Sequence, residues 1–297
     1  MASREFTAIL DSLRANPPDF SHDVVDARRS MEQIMVGAPT ADGTTVEEAI
    51  VGGRPSLRIR PPGDDGGLIL YLHGGGYRIG SAECYRGFGS YLSASVGASV
   101  VVVDYRLAPE DPFPAAVDDA LAAYRWLLDA GTLPSRLAVA GDSAGGGLAV
   151  ATLLAARDAG LPQPAAAVCL SPWTDLTITA DSYDRCAATD PYFSRVHAAQ
   201  AAEAYLHGAE PTNPLASPAL ANLAGLAPVL VHASDCEVLA DDATRLADGI
   251  RAAGGQVDLE LWPEMTHVWH IMTPGVPESR DAVDRVAEFL QARFADH

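Results

Sequence analysis

From Leu68 onward the chain repeats one arrangement, a short unbroken apolar run followed by a helical pattern. The runs are Leu68 to Leu72, Ser99 to Val103, Leu137 to Ala140, Ala166 to Leu170 and Pro228 to Val231. Runs of this kind have no polar face, so each suits a strand covered on both sides. Between them, Val117, Leu121, Tyr124 and Leu128 recur at helical spacing up to Gly131. Leu239, Ala243, Leu246, Ile250 and Ala253 do the same up to Gly254. Strands alternating with helices predict βαβ units, hence an α/β fold built on a mostly parallel sheet flanked by helices.

The flanking segments extend this plan. Phe6, Ile9, Leu10 and Leu13 predict an amphipathic helix ahead of the Pro17-Pro18 break. Thr45 to Val51 and Ser56 to Arg60, joined through Gly52-Gly53, read as an antiparallel hairpin at a sheet edge. Val257, Leu259 and Leu261 alternate with Asp258 and Glu260 as one more strand, and Val283, Val286, Leu290 and Phe294 mark a closing helix. The total is roughly eight strands in a single domain covering residues 1–297. One stretch fits neither pattern: Thr174 to about Leu223 is rich in Asp, Ser, Thr and Pro yet carries Tyr183, Tyr192, Phe193 and Tyr205. Long insertions in compact domains are usually functional. With about the first 40 residues, this one is expected to form a helical cap.

Composition limits the partners. The chain has 20 basic and 39 acidic residues, a net charge of −19, which repels nucleic-acid backbones and anionic membrane surfaces. The acidity reads as a solvated surface. Cys84, Cys169, Cys186 and Cys236 form no C-x-x-C pair and are too few for a disulfide framework, so reduced thiols are expected. The start lacks a signal-peptide pattern and no apolar run approaches the ~20 residues that span a bilayer, so a cytoplasmic location is expected.

Two motifs carry chemistry. Gly141-Asp142-Ser143-Ala144-Gly145 falls where the run Leu137 to Ala140 meets a helical pattern, and matches the G-x-S-x-G turn that exposes a serine hydroxyl at the carboxyl end of a sheet. Upstream, His73-Gly74-Gly75-Gly76-Tyr77 follows the first buried strand. A glycine triplet there lets backbone N–H groups point into a site. Such a loop could also cradle phosphate, but no lysine follows it as a P-loop requires, and the spacing does not suit a dinucleotide fingerprint. No histidine pair shows metal-ligand spacing, and no metal or cofactor is expected.

Together these motifs resemble the hormone-sensitive-lipase-like family of α/β-hydrolases, bacterial esterases that share an HGGG loop and a GDSAG turn. Asp104-Tyr105-Arg106-Leu107-Ala108-Pro109-Glu110, Phe113-Pro114-Ala115-Ala116 and Asn213-Pro214-Leu215-Ala216-Ser217-Pro218 also look like that family's blocks. The resemblance implies the α/β-hydrolase fold and a nucleophile, acid and base in that chain order. Ser143 occupies the first slot. His267, in Glu264-Met265-Thr266-His267, occupies the last, with His270 as a structural or rim residue. Anchoring the family's D-x-L-x-D pattern on Leu239 and Asp241 places Glu237 in the acid slot, with Asp235 as the alternative. Gly74, Gly75 and Ala144 are the implied oxyanion-hole donors. Tyr77, Trp173, Phe193 and Tyr205 are candidates for the substrate-pocket wall.

The implied activity is serine-dependent hydrolysis of small, short-acyl carboxylic esters through an acyl-enzyme. An amide or lactone hydrolase with the same machinery is the alternative. A ligand receptor on this fold is a more distant one, since relatives of that kind lack the histidine that His267 supplies. A homodimer, pairing through the Val257 to Leu261 edge or the last helix, is expected on frequency alone.

Overall fold

The structure, a computed structural model, describes residues 2–16 and 23–295. Eight strands form one sheet: β1 (Thr45–Val51), β2 (Arg54–Arg60), β3 (Leu68–Leu72), β4 (Ser99–Val103), β5 (Leu137–Asp142), β6 (Ala166–Leu170), β7 (Val229–Ser234) and β8 (Val257–Trp262). Their order is β1-β2-β4-β3-β5-β6-β7-β8. β1, β2 and β4 pair antiparallel, and every pairing from β4 through β8 is parallel. The hairpin register sets Val51 opposite Arg54, so Gly52 and Gly53 form a two-residue turn, both at positive φ as such turns require.

Among the described residues ten helices surround the sheet: α1 (Arg4–Ala15), α2 (Val24–Met35), α3 (Arg86–Val96), α4 (Ala115–Asp129), α5 (Ala144–Asp158), α6 (Ser182–Arg185), α7 (Arg195–Leu206), α8 (Ala240–Ala252), α9 (Trp269–Met272) and α10 (Pro277–Ala295). The twofold alternation of a strand divides the core into two layers. Leu68, Leu70 and Leu72 of β3 join Val101, Val139 and Val231 beneath α4, α5 and α8. Ile69 and Tyr71 join Val100, Val102 and Val168 on the opposite face, beneath α3 and α10.

The amino-terminal region holds two helices where periodicity indicated one, and the Pro17-Pro18 break lies outside the described residues. α1 seats Phe6 against Met265, Trp269 and Val276, and Ser3 Oγ donates to Glu278 at 3.0 Å. α2 buries Ala27, Met31 and Met35, spaced four apart on one face. The stretch 174–223 is less irregular than its composition: it contains α6, α7 and a turn of 3₁₀ helix.

Candidate active site

The carboxyl ends of β5, β7 and β8 converge on one cluster. β5 ends at Asp142 and α5 begins at Ala144, which leaves Ser143 alone at the turn. Its backbone has φ 52 and ψ −122, a conformation a residue with a side chain keeps only when its surroundings hold it. Three hydrogen bonds do so: Ser143 N–H donates to Leu170 O at 2.9 Å, while Trp173 and Gly147 N–H donate to Ser143 O at 2.9 and 3.1 Å. The turn also presses on β3 so closely that a Cβ at Gly145 would overlap the Leu72 carbonyl.

His267 lies between β8 and α9. Its Nε2 is 3.0 Å from Ser143 Oγ, and its Nδ1 is 2.6 Å from Glu237 Oε2. Glu237 follows β7 and is fully buried, with its other oxygen accepting the Ser234 N–H at 2.9 Å. Glu237 thus accepts a hydrogen bond from Nδ1–H, which keeps the proton on Nδ1 and leaves Nε2 as an acceptor towards the serine hydroxyl. Burial pulls the imidazole pKa down, but the hydrogen bond and charge of Glu237, with Asp190 and Asp142 further off, outweigh it and raise the pKa above its usual value. Of the two candidate acids, Asp235 is engaged elsewhere: its Oδ1 accepts the Glu264 N–H at 3.0 Å. Asp241 and Asp242 stand in the first turn of α8, where Asp241 pairs with Arg185 at 2.6 Å.

The glycine loop requires one correction. Gly74 N–H already donates to Asp142 Oδ1 at 3.0 Å and to Tyr85 Oη at 3.1 Å, so it is not available as an oxyanion donor. Gly75 and Gly76 follow at φ 111 and 60 and line the cavity with Ser143. Their N–H groups have no acceptor among the described residues, nor does that of Ala144 at the first position of α5. Gly75, Gly76 and Ala144 are therefore the donors available to an oxyanion. The residue that sequence reasoning passed over is Asp142. It ties the two motifs together, accepting from Tyr71 Oη at 2.9 Å, from Tyr85 Oη at 2.8 Å and from Gly74. Burial pushes its pKa up to about 6, against the opposing effect of the two tyrosines.

The cavity beside Ser143 measures about 100 Å³. Phe193 lines it, stacked on His267 with ring centroids 5.7 Å apart. Tyr77, Trp173 and Tyr205 do not line it, which corrects three of the four expected wall residues. Tyr77 and Tyr205 stack at 3.8 Å, with Trp173 6.2 Å from Tyr77, inside the core layer below. Their bulk supports the loop instead of facing substrate, because aromatic rings this large gain most from full burial. The walls sequence reasoning missed include Met31 of α2, Arg78, Tyr192, His197 and Met272. Arg78, two residues past the glycine triplet, was the one with a readable signal. The others depend on long-range packing.

A serine on a strained strand-to-helix turn, a histidine within hydrogen-bond reach and a buried carboxylate behind it define a hydrolase-type site on an α/β-hydrolase sheet. The chain belongs to the alpha/beta hydrolase fold family, whose profile matches residues 69–271, and within it to the hormone-sensitive-lipase-like esterases. It is 43% identical over 296 residues to an acetyl-hydrolase of Streptomyces hygroscopicus, covering 98% of this chain and 97% of that protein. The crystal structure of the esterase EstE5 soaked with p-nitrophenyl butyrate superposes with a TM-score of 0.94 at 44% identity, covering 99% of this chain and 100% of that one. A crystal structure of an esterase from the bacterial hormone-sensitive lipase family gives the same TM-score and identity, with 99% of both chains covered.

Proposed function

We propose that this protein is a serine carboxylesterase acting on small, short-acyl esters, with Ser143 as nucleophile, His267 as general base and Glu237 as the acid that orients it. One observation carries the reading: the chain of contacts at 2.6 and 3.0 Å from Glu237 through His267 to Ser143 ends beside three unengaged backbone N–H groups. As Ser143 Oγ attacks an acyl carbon, His267 Nε2 takes its proton, and the imidazolium is stabilised by Glu237. The tetrahedral oxygen is held by the N–H groups of Gly75, Gly76 and Ala144, each such donor typically contributing about 3 kcal/mol. His267 then protonates the departing alcohol, and water repeats the sequence on the acyl-enzyme. The small cavity, a relative named as an acetyl-hydrolase and the EstE5 crystal soaked with p-nitrophenyl butyrate support a short acyl group.

In the same reading about the first 40 residues and residues 174–223 form a cap over the sheet ends: Met31 of α2 and Tyr192, Phe193 and His197 line the cavity, while α1 packs alongside against Met265 and Trp269. A homodimer would pair on β8, an edge strand whose Leu261 is 48% exposed. Sedimentation of the protein at a single mass of one chain would overturn that part. Among the described residues no helix is long and apolar enough to cross a membrane. We take the site of action to be the cytoplasm.

The test is hydrolysis of p-nitrophenyl esters from acetate to laurate by the protein and by Ser143→Ala. Activity should peak at acetate to butyrate, fall towards laurate and disappear in Ser143→Ala. Comparable turnover by the folded variant would remove Ser143 from its role. A preference for laurate would overturn the short-acyl assignment.

A further inference from the structure

We propose that Arg78, with His197 in the same cavity wall, recognises an anionic oxygen group on the substrate, so that the preferred esters carry a carboxylate or similar charge. This deepens the esterase reading and rests on it. Arg78 leaves the oxyanion loop two residues after Gly76, and its backbone is fixed there: its N–H donates to Gly75 O at 3.0 Å and its carbonyl accepts from Arg28 Nε at 2.8 Å. The loop that supplies the oxyanion donors therefore also places Arg78 in the lining of the cavity that holds Ser143.

Among the described residues the Arg78 guanidinium has no counter-charge in contact with it. Its Nε is buried without a hydrogen-bond partner, and no carboxylate among the described residues lies within ion-pair distance of it. Its neighbour Arg28 is bound twice to Glu110, at 2.7 Å each, and Arg106, Arg185, Arg195 and Arg245 all hold carboxylates. Among the described residues Arg58, Arg125, Arg280 and Arg293 also hold no carboxylate, but of these unpaired arginines Arg78 is the one that lines the cavity with Ser143. Burial and the nearby Arg28 charge lower its pKa, against a weaker pull from Asp23. Asp23 is occupied in capping α2, with Oδ1 accepting the Val25 N–H at 2.9 Å.

The carboxylates at the site are equally committed. Asp142 accepts from Tyr71, Tyr85 and Gly74, and Glu237 accepts from His267 and Ser234. In the lining of the same cavity, His197 sits in the first turn of α7, its backbone N–H donating to Ser194 Oγ at 3.2 Å, and its buried Nδ1 has no partner among the described residues. Two residues that each carry a buried nitrogen without a partner thus line one small cavity together with Ser143. Guanidinium and carboxylate match geometrically, and such charge-assisted bonds are the strong ones. The net charge of −19 slows the approach of an anion from a distance, so the selectivity must come from this local pairing.

The anion can belong to the acyl or to the alcohol part, and two matched pairs separate these sources. Ethyl hydrogen succinate against ethyl butyrate varies the acyl end; 4-acetoxybenzoate against phenyl acetate varies the alcohol end. The measured quantity is the anionic-to-neutral ratio of kcat/KM, which cancels general damage to the enzyme. In at least one pair this ratio should fall roughly tenfold or more in Arg78→Met, be largely kept in Arg78→Lys, and decline with added salt. Ratios unchanged by Arg78→Met in both pairs overturn the proposal. Calorimetric titration of Ser143→Ala with ethyl hydrogen succinate, with and without Arg78→Met, gives a readout that needs no turnover. Equal affinity in the two, together with an unaltered 4-acetoxybenzoate ratio, removes Arg78 from recognition. Absence of ester turnover by the unmodified protein would instead defeat the esterase reading and leave this titration to decide on Arg78.

Discussion

His267 and His270 stand three residues apart, both buried, and each is wired towards a glutamate, yet their surroundings push them in opposite directions. His267 Nδ1 meets a fully buried carboxylate at 2.6 Å, and its pKa rises. His270 Nε2 meets a second imidazole, His232 Nδ1, at 3.1 Å, and the carboxylate comes only after that: His232 Nε2 lies 3.3 Å from Glu260 Oε2. Glu260 is also held by Arg285 at 2.8 Å; its pKa falls to about 2, through the His232 contact first and Arg285 after it, against burial. Burial, followed by the charges of His232 and His267, drives the pKa of His270 well below its usual value. A base needs a carboxylate in direct contact and uncompensated by a cation. A carboxylate shared with arginine and relayed through a neutral ring leaves a histidine that serves packing.

The largest effect should come from breaking the first of these two wirings. Glu237→Gln removes the charge that raises the His267 pKa and offers an amide that can favour the wrong tautomer. A loss in kcat of roughly three to four orders of magnitude is expected. The pH profile gives the sign. Because His267 must be neutral to accept the serine proton, kcat/KM rises with pH through the His267 ionisation, and the raised pKa puts that midpoint above 6.5. In Glu237→Gln burial dominates, and the midpoint should move down. Asp235→Asn should leave it in place; a larger loss there than in Glu237→Gln would transfer the acid role to Asp235.

The same contrast marks how far the sequence could be read. The parallel strands, the glycine loop, the serine turn and His267 were legible because each is fixed by a few adjacent residues whose types permit little else. The choice of Glu237 over Asp235 came from the family pattern alone, since both lie in one short loop and the outcome depends on which backbone N–H each carboxylate meets, Ser234 or Glu264. Gly74 was misplaced for a related reason: its N–H goes to Asp142, 68 positions away. α2 escaped notice because its buried positions, Ala27, Met31 and Met35, are interleaved with Arg28, Arg29 and Glu32. Of the aromatics expected in the pocket wall, Tyr77, Trp173 and Tyr205 lie in the core instead, because the sequence pattern cannot say whether a ring faces a cavity or a core.

A second, smaller effect tests the link between the two motifs. In Asp142→Asn the amide nitrogen cannot accept from one of the three donors that Asp142 serves, which leaves a buried donor unpaired at a cost of about 1–3 kcal/mol. The glycine loop then shifts relative to Ser143, and kcat should fall roughly tenfold to a hundredfold, with KM changed less, because the misplaced N–H groups matter most to the tetrahedral oxygen. Unaltered kcat in a folded Asp142→Asn protein would show that the loop holds its position without this carboxylate.

The smallest effect should come from the second wiring, and it sharpens the comparison because it concerns stability alone. Glu260→Gln leaves Arg285 free to pair with Glu288, already 2.5 Å away, and removes the carboxylate nearest His232. His232 is itself pushed below its usual pKa, mainly by burial, so both buried imidazoles are neutral when the enzyme works, and neither passes a charge to His267. The ring cluster that includes the tilted pair Trp269 and His270, with centroids 3.8 Å apart, stays in place. The melting temperature should fall by roughly 2–4 °C, corresponding to about 1 kcal/mol, while the pH midpoint of kcat/KM does not move. A shifted midpoint would mean that the two histidine systems are coupled and that His270 takes part in setting the strength of the base.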